Sequence, residues 1–242
     1  MKNKIILIIV LLNFLAMAQN KIMTLYYPDS TKVINISTLD SISIFICGTS
    51  KVNYAGKDYN TVLIGTQCWL KENLNVGTRI NGSPNMSNNG ILEKYCYNND
   101  TTYCDTYGGL YTWNEAMQYE TTEGAKGICP TGWHIPTRSD FSTLITTVDS
   151  SANALKKVGQ GTGQGQGTNS SGFSALLGGG KVYDGSGFAH LNLYSFLYSS
   201  YSYPCSGSTC GYTLELKGDV SKVVGGTGGL ATWGFGVRCI KN

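Results

Sequence analysis

The spacing of apolar side chains changes period several times along this chain, and each change predicts an element. An unbroken apolar run, Ile5–Leu12, comes first. Ile22–Tyr27 and Lys32–Ile36 then flank Pro28-Asp29-Ser30-Thr31, a turn with Pro and Asp where a turn favours them, and Leu39–Phe45 reads as a third strand. Two or three strands are marginal alone. Residues 19–50 therefore read as a small N-terminal β-hairpin unit, preceding a main domain over 51–242.

Within the main domain, Val52–Tyr54 and Tyr59–Ile64 bracket Ala55–Asp58 as a hairpin, and Gln67–Leu70 forms a further short strand. Residues 77–90 are polar and aperiodic, and Cys96 and Cys104 enclose a short loop that a disulfide can close. Leu110–Glu120 predicts a helix with Leu110, Trp113, Ala116 and Met117 on one face. Thr137–Val148 predicts a clearer one, because Phe141, Leu144, Ile145 and Val148 recur at helical spacing. Pro136 marks its start, and Thr137 with Asp140 resembles a capping box with Asp for the usual Glu. Ala152–Val158 adds a short third helix, and residues 159–172 form a glycine- and glutamine-rich loop. Phe173–Leu177 reads as a short buried strand, and Tyr212–Lys217 alternates as a strand should. The chain closes on Trp233–Cys239, where Trp233, Phe235, Val237 and Cys239 share one face by the period of two.

Composition adds an address. Met1–Ala18 has the layout of a secretory signal peptide: Lys2 and Lys4, the apolar run, then Ala16-Met17-Ala18 as a cleavage site. The run is too short to span a membrane, which takes roughly 20 residues, and no cysteine follows it to carry a lipid. Lys and Arg number 18 against 15 Asp and Glu, and losing Lys2 and Lys4 with the leader brings the mature chain close to neutral. A near-neutral chain lacks the basic footprint of a nucleic-acid binder. The 31 glycines point to turns and strands rather than long surface helices. All 8 cysteines (47, 68, 96, 104, 129, 205, 210 and 239) lie in the exported part and read first as disulfides, with the connectivity open. There is no Cys-x-x-Cys pair and there are only 2 histidines, so no metal site or cofactor is expected.

Several segments together resemble the Fibrobacter succinogenes major paralogous domain. They are Tyr59–Gly65, Gln67–Leu74, Tyr107–Met117, Cys129-Pro-Thr-Gly-Trp-His-Ile-Pro-Thr137, Gly172–Leu176 and Gly236-Val-Arg-Cys239, in the family's order over about residues 52–242. The resemblance implies an α+β, C-type lectin-like fold, with two main helices packed on small, mainly antiparallel sheets and long irregular loops. It also implies that Cys129 pairs with Cys239. Cys96–Cys104 and Cys205–Cys210 are then local candidates, and Cys47–Cys68 remains, although Cys68 departs from the family's pattern.

Candidate chemistry is sparse. Gln67-Cys68-Trp69 superficially matches a papain-like nucleophile, but Cys68 falls in a strand, with only His134 and His190 to serve as base. Cys205 and Cys210 have the spacing of the copper-binding pair of formylglycine-generating oxidases, without the arginine-rich stretch found there, and a disulfide-closed turn is the better reading. His134 reads as a hydrogen-bonded structural histidine and His190 as an exposed loop residue. Asn98-Asn99-Asp100 offers oxygen ligands of the kind calcium takes, with no further carboxylate nearby in sequence. Trp69, Trp113, Trp133 and Trp233 read as core. Tyr194, Tyr198, Tyr201 and Tyr203 can form an aromatic platform for a sugar or a protein.

The expectation is a secreted or cell-surface, disulfide-stabilised binding module. It is not an enzyme, and its polysaccharide or extracellular protein ligand would meet the loops around 77–105 and 159–211. A thiol- or copper-dependent oxidase at Cys205 and Cys210, or a purely structural surface protein, is the alternative.

Overall fold

The computed structural model describes residues 22–27, 30–35, 44–183, 187–223, 226 and 228–242. The expected signal peptide and most of the expected third strand lie outside the described residues. The chain divides into two units, the first ending at Phe45 and the second running from Ile46 to Asn242. In the first, β1 (Ile22–Tyr27) pairs antiparallel with β2 (Ser30–Asn35), Ile22 opposite Asn35 and Tyr27 opposite Ser30.

The second unit begins with a tight hairpin of β3 (Val52–Tyr54) and β4 (Lys57–Tyr59). A second hairpin follows at once, β5 (Thr61–Ile64) against β6 (Gln67–Leu70). A short parallel pair, β7 (Thr78–Arg79) and β8 (Glu93–Lys94), lies within the polar region. Four α-helices are found among the described residues: α1 (Thr101–Tyr107), α2 (Trp113–Ala116), α3 (Arg138–Thr147) and α4 (Ala152–Leu155). The remaining strands are β9 (Trp133–His134), β10 (Gly178–Tyr183), β11 (Gly187–Leu191), β12 (Tyr194–Cys205), β13 (Ser208–Lys217), β14 (Gly228–Leu230) and β15 (Ile240–Lys241).

Two sheets organise the unit. One has five strands in the order β11-β10-β12-β13-β14, built around the long β12–β13 hairpin. The other has four, β5-β6-β15-β9, so that the last strand of the chain inserts between two early ones.

This layout overturns the expected α+β, C-type lectin-like class with two main helices. The unit is mainly β, its helices are short, and a curled five-stranded sheet dominates. The physical reason lies in tertiary pairing that outweighs helical periodicity. Leu110–Glu120 has the spacing of a helix, yet Leu110 bridges to Tyr95 and Tyr111 to Phe235, which leaves only Trp113–Ala116 helical. Gln118 and Tyr119 then adopt positive φ and end it. The expected strand Phe173–Leu177 is irregular, with Ser174 at positive φ, and regular pairing starts only at Gly178. Trp233–Cys239 is not a strand either. Its backbone bridges in turn to Lys181, Tyr111 and Leu197.

Helix α3 forms as its sequence predicts. The Thr137 hydroxyl accepts from Asp140 N, and the Asp140 carboxylate accepts from Thr137 N, a reciprocal cap. Phe141 and Leu144 are buried, with Ile145 and Val148 packed at the margin. Phe141 stacks on Trp69 at 5.8 Å, and Trp69 meets Phe173 edge-on at 5.6 Å. Burying each such side chain contributes about 1.5–3 kcal/mol.

His134, in β9, joins this cap: Nε2 lies 3.2 Å from Asp140 Oδ2 and Nδ1 lies 2.7 Å from Asn242 Oδ1. The hydrogen bond to Asp140 raises the His134 pKa above its ordinary 6.5 despite burial. Burial works to raise Asp140, but hydrogen bonds from His134 and Thr137 outweigh it and hold the carboxyl at about 2.

Four disulfides tie the unit together: Cys47–Cys68, Cys96–Cys104, Cys129–Cys239 and Cys205–Cys210. Cys47 belongs to the larger unit, so its bond to Cys68 lies within that unit. Cys129–Cys239 closes 110 residues and Cys205–Cys210 only 5. In the chain-entropy model these loops are worth about 4–5 and about 2 kcal/mol.

Chemical denaturation of C129S/C239S should show a loss of about 4–5 kcal/mol, roughly twice that of C205S/C210S; equal losses would contradict loop length as the controlling factor. The raised His134 contributes stability that is full below pH 6.5 and fades as pH rises through its folded value. The depressed Asp140 contributes stability that is full above 3.8 and fades as pH falls towards about 2. Thermal melts of the parent should therefore decline on both sides of this window, and Asp140→Asn should flatten both flanks. An unchanged profile in the variant would refute the coupling.

Candidate functional site

The five-stranded sheet carries a groove of about 220 Å³ beside the β12–β13 hairpin. Its register explains its contents. Tyr194 lies opposite Lys217 and Phe196 opposite Glu215, so alternate residues of both strands face the same side. Tyr194 and Phe196 stack with centroids 5.5 Å apart and planes only 5° from parallel. His190, from β11, meets Tyr194 at 4.9 Å and Phe196 at 6.1 Å, both edge-on. Trp233 and Phe235 complete the aromatic wall, Phe235 stacking under Phe196 at 4.6 Å.

Glycines make room for that wall. A Cβ at Gly180 would stand 2.7 Å from the Phe235 ring, and one at Gly229 would also run into it. Substitution at either position would push the ring, and with it Phe196.

Two charges complete the groove. Lys217 Nζ lies 3.3 Å from Glu215 Oε1 and 5.4 Å from the centre of the Tyr194 ring. The bond to Glu215 raises the lysine's pKa, so it is fully charged at neutral pH. An apolar stacking surface next to a paired carboxylate and ammonium can hold a ring-shaped polar molecule by its faces and its edges.

The four tyrosines singled out by sequence do not form one platform. Tyr194 belongs to the groove. Tyr198 is fully buried, its hydroxyl donating to the Leu230 and Trp233 carbonyls at 3.2 and 3.1 Å, so it is unavailable to a ligand. A register shift between Tyr198 and Ser202 breaks the alternation. Beyond it Tyr201 and Tyr203 stack at 6.2 Å, and the Arg138 guanidinium lies 5.8 Å from Tyr201 and 5.4 Å from Tyr212. The span 159–211, read as loop, is mostly strand from Gly178 onward.

Other sequence candidates find structural employment. His190 stands half-buried in β11 rather than exposed in a loop. Asp100 caps α1 by accepting from Thr102 N, and Asn99 Oδ1 accepts from Gly82 N, so these oxygens serve the fold. Cys68 and both Cys205 and Cys210 are disulfide-bonded, which leaves no thiolate at either place. Among the described residues, no group of three or more His, Cys, Asp and Glu comes together as a metal site. No described helix is long and apolar enough to cross a membrane.

Sequence reasoning missed Phe196, Glu215 and Lys217 and assigned Trp233 to the core. The alternation Tyr194-x-Phe196 against Glu215-x-Lys217 in two strand-like segments was the available signal.

The family model of the Fibrobacter succinogenes major domain matches residues 62–241. The chain belongs to this family. No curated protein and no solved structure matches it. The Fibrobacter succinogenes major domain here contains every groove residue, Cys129–Cys239 and the α3 cap, whereas Cys47 and the N-terminal hairpin lie outside the matched span.

Proposed function

We propose that this chain is a secreted or surface-displayed binding module, not an enzyme, that holds a carbohydrate in the groove of its five-stranded sheet. The observation that carries the reading is the parallel, half-exposed Tyr194–Phe196 pair, backed by Phe235 and flanked by Glu215 and Lys217. Parallel rings offer a flat apolar face of the kind that the C–H face of a sugar covers. The Lys217 ammonium beside them, held in place by the nearly buried Glu215, is a donor for the sugar's hydroxyls. Four disulfides support an oxidising, extracytoplasmic setting.

A protein ligand is the second reading, favoured by the separate Tyr201, Tyr203 and Arg138 cluster, since tyrosine and arginine dominate binding hot spots. The oxidase alternative needs Cys205 and Cys210 as thiolates, and the bond between the two sulfurs across the β12–β13 turn favours the binding reading over it.

A glycan array probed with the parent and with Tyr194→Ala tests the sugar reading. The parent should retain a defined class of glycans, and the variant should bind them about tenfold more weakly, the loss of roughly 1–1.5 kcal/mol of aromatic contact. Its melting temperature should stay close to the parent's, since Tyr194 is only half-buried. Absence of glycan binding by the parent, or undiminished binding by the variant, would refute the proposal.

A further inference from the structure

A second depression, of about 300 Å³, is lined by Lys57, Lys71, Glu72, Asp105, Lys157 and Arg238, among others. Arg238 is the unusual member, because it is only 2% exposed. Its guanidinium lies over the Phe173 ring at 4.3 Å. Nε and Nη2 donate to Asn73 Oδ1 at 3.0 and 2.8 Å, and Nη1 donates to the Phe173 carbonyl. Both acceptor groups are neutral. A guanidinium has five N–H bonds, so one hydrogen on each terminal nitrogen has no acceptor among the described residues.

The charge is equally unanswered. Burial lowers the Arg238 pKa to about 9, which still leaves it cationic at neutral pH. Glu72 favours the charged form from a distance, but its oxygens accept from Asn60 N and Asn60 Nδ2, each at 2.8 Å, and make no hydrogen bond to Arg238. Among the described residues no carboxylate forms an ion pair with Arg238. A buried cation without a counter-ion is strongly unfavourable unless something in the site supplies one. Lys57, Lys71 and Lys157 add positive field, and Glu72 and Asp105 offset only part of it.

We propose that this depression binds the carboxylate of a small acidic ligand, with Arg238 donating its two remaining N–H groups and Lys71 and Lys157 supplying the surrounding positive field. A planar carboxylate offers two acceptors to a planar guanidinium, which favours it over a point anion. A dianionic phosphate is disfavoured by Glu72 and Asp105, which line the same depression. The proposal does not rest on the sugar reading of the aromatic groove.

Titration calorimetry at low salt, with sodium glucuronate against glucose, isolates the carboxylate as the single chemical difference. Glucuronate should bind saturably and glucose should not. Arg238→Gln should abolish binding, but Arg238 also holds Asn73 and Phe173, so that variant can fail to fold. The K71A/K157A double variant keeps the test sharp, because it removes partly or fully exposed charges and should weaken glucuronate about three- to tenfold. No saturable glucuronate binding, equal binding of glucose, or an unchanged affinity in the double variant would overturn the proposal. Tighter binding of glucose 6-phosphate than of glucuronate would overturn the assignment to a carboxylate.

Discussion

The larger unit depends on how residues 234–240 thread between its two principal sheets. Gly234 N donates to Lys181 O, Phe235 N to Tyr111 O and Gly236 N to Phe196 O. Leu74 N and Leu70 N donate in turn to Val237 O and Cys239 O, and Ile240 lies between Trp69 and His134. Buried backbone must find a partner at every step, and here the partners come from distant parts of the sequence. A regular strand pairs with one neighbour on each side. This segment instead joins the five-stranded sheet to the four-stranded one, and Cys129–Cys239 fixes it where it crosses.

That constraint sets the rigidity of the groove. Phe235 is held by backbone hydrogen bonds to Tyr111 in both directions, so its ring cannot drift from beneath Phe196. Tyr198, on the same strand as Phe196, packs against Phe235 at 5.0 Å and anchors the hairpin to the Leu230–Trp233 carbonyls. The half-exposed Tyr194–Phe196 pair thus stands on a second layer of aromatic rings. A ligand meeting such a surface loses little to ordering it, which is how preorganisation contributes to affinity.

How far the sequence revealed this follows the range of the forces involved. Helix α3 was legible because its cap and its apolar spacing lie within a dozen residues. The β12–β13 hairpin was half legible, since Tyr212–Lys217 alternates but the shift after Tyr198 scrambles the tyrosine pattern on the other strand. Helix α1 was hidden, because Thr101–Tyr107 has no apolar period and is held by the Asp100 cap and the Cys96–Cys104 bond. The helix expected at Leu110 failed for the opposite reason: its period was good, but Tyr95 and Phe235 claimed its first residues for pairing. Of the groove, only Tyr194 was named beforehand as a binding residue. Phe196 shares its strand, and the other members come from β11, β13, β14 and the C-terminal segment, which only the fold brings together.

The same thread explains why both concave surfaces lie where they do. Phe235, Val237 and Cys239 enter one core cluster, whereas Arg238 lies against Phe173, which belongs to the other. One extended segment thereby supports an aromatic groove through one residue and sets a buried cation into a second depression three positions later. Phe235 is bonded to Tyr111, Arg238 to Asn73 and Phe173, and their neighbours Gly234, Gly236 and Cys239 to strands of the two sheets. Loops can change around such a frame at little cost to stability, but the ring under the groove and the guanidinium in the depression are tied to the fold itself. Whatever binds at either place therefore meets chemistry fixed by the core, and loops around the frame are free to alter only what surrounds it.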